Sequence, residues 1–311
     1  MKYCVFIHTN HKQVLGAKVA AYALKRNSAT PDAFDVQYID TRDHPWMAEQ
    51  EGQIYLRDGV KRVWLNDDLQ SFTPLRFRPP ELMGYEGRAL VIDPDIFAVG
   101  DVFELLSRDM GDHAILCRKR SGPKGAIDKC WASSVMLLDC AKLPHWNAAE
   151  GFRQLFAFER DYSEWICLKL EDPSTIGVLE PEWNDFDKLT KRTKMLHTTR
   201  RKTQPWKTGL PADWRPAERF RAFPPLGWLM RARRKLFGEY AFLPDYQKHP
   251  DPNQEHLFFG LLRECLEQGL VTEAEIRSEM DQNHVRHDAF DVLEKTKPLA
   301  APPNPPLELP A

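Results

Sequence analysis

Apolar residues recur along this chain with two different periods, and the switches between them outline an α/β protein. The stretch "YCVFIHT" (3–9) is a short apolar run that ends on polar residues, the pattern of a buried strand. In "NHKQVLGAKVAAYALKRNS" (10–28), Leu15, Val19, Ala20 and Leu24 recur at helical spacing, and Asn10 with Gln13 three positions on predicts an N-cap. "FDVQYID" (34–40) predicts a second strand. Strand, helix and strand in this order open an α/β unit, whose functional loops lie at the carboxyl ends of its strands.

The pattern weakens from 41 to about 70, and Pro79-Pro80 with Gly84 and Gly87 mark an irregular connection. "RALVI" (88–92) is then continuously apolar and delivers two acids, Asp93 and Asp95, separated by one proline. "VGDVFELLSRD" (99–109) predicts a short helix opened by Asp101. "HAILCRKR" (113–120) and "ASSVMLLD" (132–139) predict strands, and "NAAEGFRQLFAFERDYSEWICLKL" (147–170) predicts helix. Beyond residue 208 the chain reads as irregular connectors and helices, the last opened by Thr272 and Glu275 in capping-box spacing. The organisation expected is a catalytic domain over 1–207, a mainly helical extension over 208–296 and a proline-rich, extended tail over 297–311.

Composition narrows the classes without selecting one. With 42% hydrophobic and 28% charged residues and a formal net charge of -2, the chain has no global field to attract nucleic acid or an anionic membrane. The six cysteines at 4, 117, 130, 140, 167 and 265 form no C-x-x-C pair and are expected as reduced core residues. The opening residues reach histidine and asparagine too soon for a signal peptide, and no run is long enough to span a bilayer, so a cytoplasmic location is expected. "GWLMRARRKLFGEY" (227–240) mixes apolar and basic residues; a helix packed on the catalytic domain is favoured over peripheral membrane contact.

Two carboxylates at the end of a buried strand repel one another unless a cation compensates them, and hard oxygen ligands suit magnesium or manganese. Aspartates also simply terminate strands and cap helices, so the pair alone decides little. The second feature is "KRTKMLHTTRRKTQPWK" (191–207), with seven lysines and arginines, no acid, and His197 in its middle. Such a segment suits phosphate oxygens or is merely a solvated basic loop. His197 gains weight from Asp93 and Asp95, since two carboxylates and an imidazole make a plausible site for an ion that bridges a diphosphate. A nucleic-acid-binding module would interleave aromatic residues among the cations, and only Trp206 is there. A metal-dependent phosphohydrolase would need a second ligand cluster, which is not evident.

These pieces, in this order, resemble the retaining glycosyltransferases of the glycogenin and lipopolysaccharide galactosyltransferase type, which share the GT-A nucleotide-sugar-binding fold. "LRFRPPELMGYEGRALVIDPDIFAVGDVFELL" is similar to the family's aspartate-x-aspartate run, "WASSVMLLD" to its N-S-G-V-M strand, "PEWND" to its late Trp-Asn signature and "LHTTRRKTQPWK" to H-x-x-G-x-x-K-P-W. The resemblance covers about residues 3 to 207. It implies a mixed central sheet flanked by helices and a hexosyl or hexosaminyl transfer from a UDP-sugar to a saccharide or other hydroxyl acceptor, dependent on Mn2+ or Mg2+. It assigns metal binding to Asp93, Asp95 and His197, and contacts to the nucleotide to Asp93, His8, Thr9, Asn10 and Arg76. It gives the diphosphate to Lys202 or Lys207, and a place beside the reacting sugar to Asp161, with Tyr162 in place of the usual glutamine. The chain departs from the family at Ala132, Ser134 and Arg200, where asparagine, glycine and glycine are usual. Arginine lacks a glycine's freedom at positive φ, so a catalytically silent nucleotide- or phosphate-binding protein of the same fold is the alternative.

Overall fold

The structure is a computed structural model that describes residues 1–121, 127–214, 228, 229, 232, 233, 236–238, 240 and 243–302. The strands are β1 (Tyr3–Thr9), β2 (Asp35–Asp40), β3 (Ile54–Arg57), β4 (Val60–Val63), β5 (Arg88–Ile92), β6 (Ile96–Ala98), β7 (Ile115–Ser121), β8 (Ile127–Asp139), β9 (Ile176–Val178), β10 (Asp185–Phe186) and β11 (Met195–His197). The central sheet has the order β2-β1-β5-β8-β7-β9. β1 runs parallel to β2 and β5, β8 runs antiparallel to β5 and β7, and β9 is parallel to β7. A small sheet β10-β11-β6 and a hairpin β3-β4 complete the set.

The continuous apolar runs follow from burial of both faces of the central strands. Successive side chains alternate, so Phe6, Val91 and Met136 pack on one face while Ile7, Leu90, Ile92 and Leu137 pack on the other. The first face is covered by the helices Ala148–Phe156 and Tyr162–Ile166 through Phe152, Leu155 and Trp165. The second is covered by the helix Val14–Arg26 through Leu15, Val19 and Leu24.

The C-terminal helices are present as expected, Pro252–Glu267 and Glu273–Asp281 among them, and Thr272 forms the anticipated capping box with Glu275. They do not make a separate core. Phe258, Phe259 and Leu262 join Val19, Ile96 and Trp206 in one apolar cluster, so the boundary at 207 does not divide two packing units. Truncating Phe258 to alanine should cost about 3–5 kcal/mol.

Several local expectations are corrected. Asn10 does not cap a helix: its Oδ1 accepts from the Lys12 amide and its Nδ2 donates to Asp68 O, Leu69 O and Ser71 Oγ, so it ties the 68–71 loop to the end of β1. The first helix accordingly starts at Val14, behind Gln13. The long helix expected over 147–170 breaks at Phe158, which adopts φ 59°, and restarts behind Asp161. Cys130 and Cys167 are joined by a disulfide, whereas Cys4, Cys117, Cys140 and Cys265 are free and buried. Of the expected amphipathic segment 227–240, residues 227, 230, 231, 234, 235 and 239 lie outside the described residues, as does most of the proline-rich tail. Among the described residues no helix is long and apolar enough to cross a membrane.

Candidate active site

β5 ends against β8, where the Asp93 amide donates to Ser134 O at 3.2 Å. The chain then turns through Pro94 and Asp95 into β6. The first turn of the helix Val14–Arg26 presses on this turn: a Cβ at Gly16 would lie 2.8 Å from Pro94 O, so only glycine fits. β6 pairs antiparallel with β11, and that register sets His197 opposite Ile96. The ladder thereby carries an imidazole to the two acids from a hundred residues further along the chain.

His197 Nε2 lies 3.4 Å from Asp95 Oδ1 and 4.0 Å from Asp93 Oδ2. One ligand atom from each residue lies within 4.8 Å of the other two. The tautomer follows from the neighbours. Asn184 Nδ2 faces Ser134 Oγ at 3.0 Å and Ala132 O at 3.5 Å, so its Oδ1 is the atom that accepts from His197 Nδ1 at 2.9 Å. Nε2 is left with a lone pair aimed at the acids. Asp95 Oδ1 is shielded from solvent and has no hydrogen-bond partner, while Oδ2 accepts from Gln204 Nε2 at 3.1 Å. In the neutral imidazole this lone pair faces Asp95 Oδ1 across 3.4 Å, an arrangement that fits a cation. Two carboxylates and an imidazole are a donor set that suits a divalent cation.

Asp93 is different. Arg76 Nη2 donates to Oδ1 at 2.7 Å and Oδ2 at 2.5 Å, Arg76 Nε reaches Oδ1 at 3.0 Å, and His8 Nε2 lies 2.7 Å from Oδ1. Burial pushes the Asp93 carboxyl up, but the Arg76 guanidinium and His8 outweigh it and hold the group well below the usual carboxylate range. Burial lowers the His8 pKa against the pull of Asp93, so His8 is a neutral donor. The serines of "WASSVM" serve both sides of the site, since neighbours on a strand point opposite ways. Ser133 Oγ accepts from Arg76 Nη1 at 3.0 Å, and Ser134 Oγ accepts from Asn184.

Asp93, Asp95 and His197 open on a cleft of about 230 Å³ that Arg76, Gln13, Gln204 and Arg201 also line. The remaining candidates lie elsewhere. His8, Thr9 and Asn10 are buried behind the cleft and do not line it. Lys202 is exposed and off the cleft wall. Lys207 is fully buried in an ion pair with Asp213 at 2.5 Å, so neither lysine faces a diphosphate bound in the cleft. The residue immediately before Pro205-Trp206 is Gln204, and it is this side chain that meets Asp95.

Asp161 caps the helix Tyr162–Ile166. Its Oδ1 accepts from the Ser163 and Asp58 amides at 2.8 and 3.0 Å, and its Oδ2 accepts from Gly59 N at 2.7 Å. Burial raises the Asp161 pKa, but these amides more than offset it and the net shift is downward. Both oxygens are thus committed to backbone, and Tyr162, not Asp161, borders the cleft. The position beside the reacting sugar that the resemblance gives Asp161 stays an expectation; what the geometry gives it is a helix cap. The contributors that sequence reasoning did not single out are Asn184, Gln204, Gln13 and Arg201. Asn184 stood inside a quoted motif, and Arg201 inside the basic stretch, but neither carried a role.

The fold and site thus define a mixed α/β protein with an acid–imidazole corner at the end of its central parallel strand. No protein-family model and no curated protein matches the chain. Solved structures similar to it include the galactosyltransferase LgtC with donor and acceptor sugar analogs, at 12% identity and TM-score 0.47, covering 78% of this chain and 97% of that one. The glycosyltransferase GlyE of Streptococcus pneumoniae is similar at 13% identity and TM-score 0.46, covering 87% of this chain and 64% of that one. The bifunctional glycosyltransferase WbbM is similar at 14% identity and TM-score 0.45 over 67% of this chain, which spans 47% of that protein.

Proposed function

We propose that this chain is a metal-dependent glycosyltransferase that uses a nucleotide diphosphate sugar, with UDP the favoured nucleotide, and retains the anomeric configuration. The observation that carries the proposal is the convergence of Asp93, Asp95 and His197 around an oxygen, Asp95 Oδ1, that has no hydrogen-bond partner. Asp95 and His197 would hold a manganese or magnesium ion, together with the Asp93 oxygen that faces His197. Such an ion supplies positive charge to the diphosphate oxygens, so that the leaving group departs without protonation.

The chain's own residues do the rest. Asn184 fixes the imidazole tautomer, and Gln204 fixes the rotamer of Asp95. Arg201 presents a guanidinium on the cleft wall to phosphate oxygens. Gln13 Oε1, buried without a partner on the same wall, accepts from a hydroxyl or N–H of the donor. In transfer the acceptor oxygen bonds to the anomeric carbon while the bond from that carbon to the diphosphate oxygen breaks. The electron pair leaves on the diphosphate, which takes the acceptor proton.

The second reading is a silent nucleotide-binding protein. It is favoured by Lys202 and Lys207 both lying off the cleft wall, and by Arg76 and His8 already compensating Asp93. A panel of nucleotide sugars, incubated with Mn2+, with Mg2+ and with chelator, separates the two. Metal-dependent donor hydrolysis or transfer is expected; nucleotide binding without any turnover would favour the silent protein.

A further inference from the structure

A second chamber, of about 120 Å³, adjoins the cleft, and Arg57, Gln70, Tyr162 and Arg201 border both. Its wall is the hairpin β3-β4, whose inner face carries two arginines. The register pairs Tyr55 with Arg62 and Arg57 with Val60, so strand alternation puts Tyr55, Arg57 and Arg62 on one face. That face lines the chamber, while Ile54 and Val63 on the other face are 46% and 40% exposed. A hairpin packed for stability alone directs its apolar side chains inward and its charges to water. Here Arg57 and Arg62 point in beside Tyr55 and Val60, while Ile54 and Val63 point out beside Lys61.

The arginines sit among aromatic rings. The Arg57 guanidinium lies 4.8 Å over Tyr162, and Tyr55, Trp64 and Tyr162 form an edge-to-face cluster with Tyr55 5.7 Å from Trp64 and 5.6 Å from Tyr162. Arg201 adds a third guanidinium; burial lowers its pKa, Asp68 opposes this and Arg57 reinforces it. Asp58 and Asp68 also line the chamber, so three positive groups face two negative ones. The like charges of Arg57 and Arg201 oppose one another across the shared wall, a repulsion that a bound anion relieves. The candidate metal ligands line only the larger cleft, which assigns the donor diphosphate there and leaves the smaller chamber to the other substrate.

We propose that the chamber walled by Tyr55, Arg57, Arg62, Trp64 and Tyr162 is the acceptor subsite, and that the acceptor is a sugar carrying an anionic group, a carboxylate or a phosphate ester, held by Arg57 and Arg62. The guanidinium forks match two oxygens of one anionic group, and the aromatic rings wall the chamber around them. The inference rests on the transferase reading for the word acceptor and on the chamber alone for the anion.

The test has two arms. In the first, kcat/KM is measured for a neutral glucoside, its 6-phosphate and the corresponding uronide, with the donor and Mn2+ saturating. A preference of about 10-fold or more for an anionic member is expected, falling to about 2-fold or less in Arg62→Gln and partly recovered in Arg62→Lys. Whether the phosphate or the uronide gains identifies the anion. Equal use of the neutral and anionic acceptors by the wild-type protein overturns the proposal, as does a preference that Arg62→Gln leaves intact. In the second arm, glucose 6-phosphate and glucuronate are titrated into the protein by calorimetry with no donor present. Binding weakened about 10-fold in Arg62→Gln supports the anion subsite even if no nucleotide sugar is turned over, the result that would instead refute the transferase reading. Absence of binding to the wild-type protein overturns the subsite, whatever the donor does.

Discussion

Among the described residues, two of the buried clusters of charge are finished differently. In the cluster of Lys207, Asp213 and Tyr246, the ammonium meets Asp213 Oδ2 at 2.5 Å and the phenol hydroxyl donates to Asp213 Oδ1 at 2.5 Å. Both carboxylate oxygens have their donor. In the corner of Asp93, Asp95 and His197 the first acid is equally well served by Arg76 and His8, but Asp95 keeps one buried oxygen with no donor, and His197 turns a lone pair towards it. A buried charge is therefore no mark of function in itself. An acceptor that the fold shields from water and leaves unsatisfied is a better one, because folding gains nothing from it.

The sharpest way to break this contrast is Asp95→Asn. Donor turnover should fall by about 10³-fold with the fold intact, and calorimetry should record weaker Mn2+ binding. Wild-type turnover and Mn2+ affinity in that variant would return Asp95 to an ordinary turn residue. Lys207→Met should do the opposite, destabilising the protein by about 3–5 kcal/mol in urea unfolding because it strands a buried carboxylate. Acid should act on the same cluster. Burial pushes Asp213 up, but Lys207 and Tyr246 outweigh it and hold it below its ordinary 3.8. A depressed acid contributes its full stabilisation above that ordinary value and loses it as pH falls. The stability profile below about pH 4 should therefore flatten in a Lys207→Met/Asp213→Leu double variant.

Asn184→Ala should be milder. It removes the acceptor that fixes the imidazole, and Mn2+ affinity should drop about 10- to 100-fold while urea midpoints change little. The smallest effect is expected for Asp161→Ala, about 1 kcal/mol of stability read from thermal unfolding, since it removes a helix cap. A loss of turnover far beyond that of stability would put Asp161 back at the reacting sugar.

The sequence made β1, β5 and the paired acids legible because strands buried on both faces announce themselves as unbroken apolar runs. What brings His197 to them is the pairing of β6 with β11, two three-residue strands far apart in the chain, and no local pattern encodes that. Lys207 was read as a cation available to phosphate; its partners Asp213 and Tyr246 come from an irregular segment without periodicity. Asp161 is the reverse case. Aspartate followed three residues later by Glu164 is a cap signature, and its structural role was open to view beneath the family likeness. The hairpin β3-β4 has no legible pattern because apolar and charged residues lie on both of its faces, which erases the alternation by which a half-buried strand is recognised. Nothing in the spacing of Cys130 and Cys167 distinguished them from the four unpaired thiols.

The ladder between β6 and β11 has one more consequence. Because it indexes His197 by register, the distance along the chain between the acids and the imidazole is immaterial. Lengthening a surface loop between Ala98 and Met195 should leave the corner assembled, whereas deleting a single residue from Met195–His197 would rotate the imidazole to the opposite side of the small sheet. Variation in length is tolerable between the two strands and forbidden within the six residues that form their ladder.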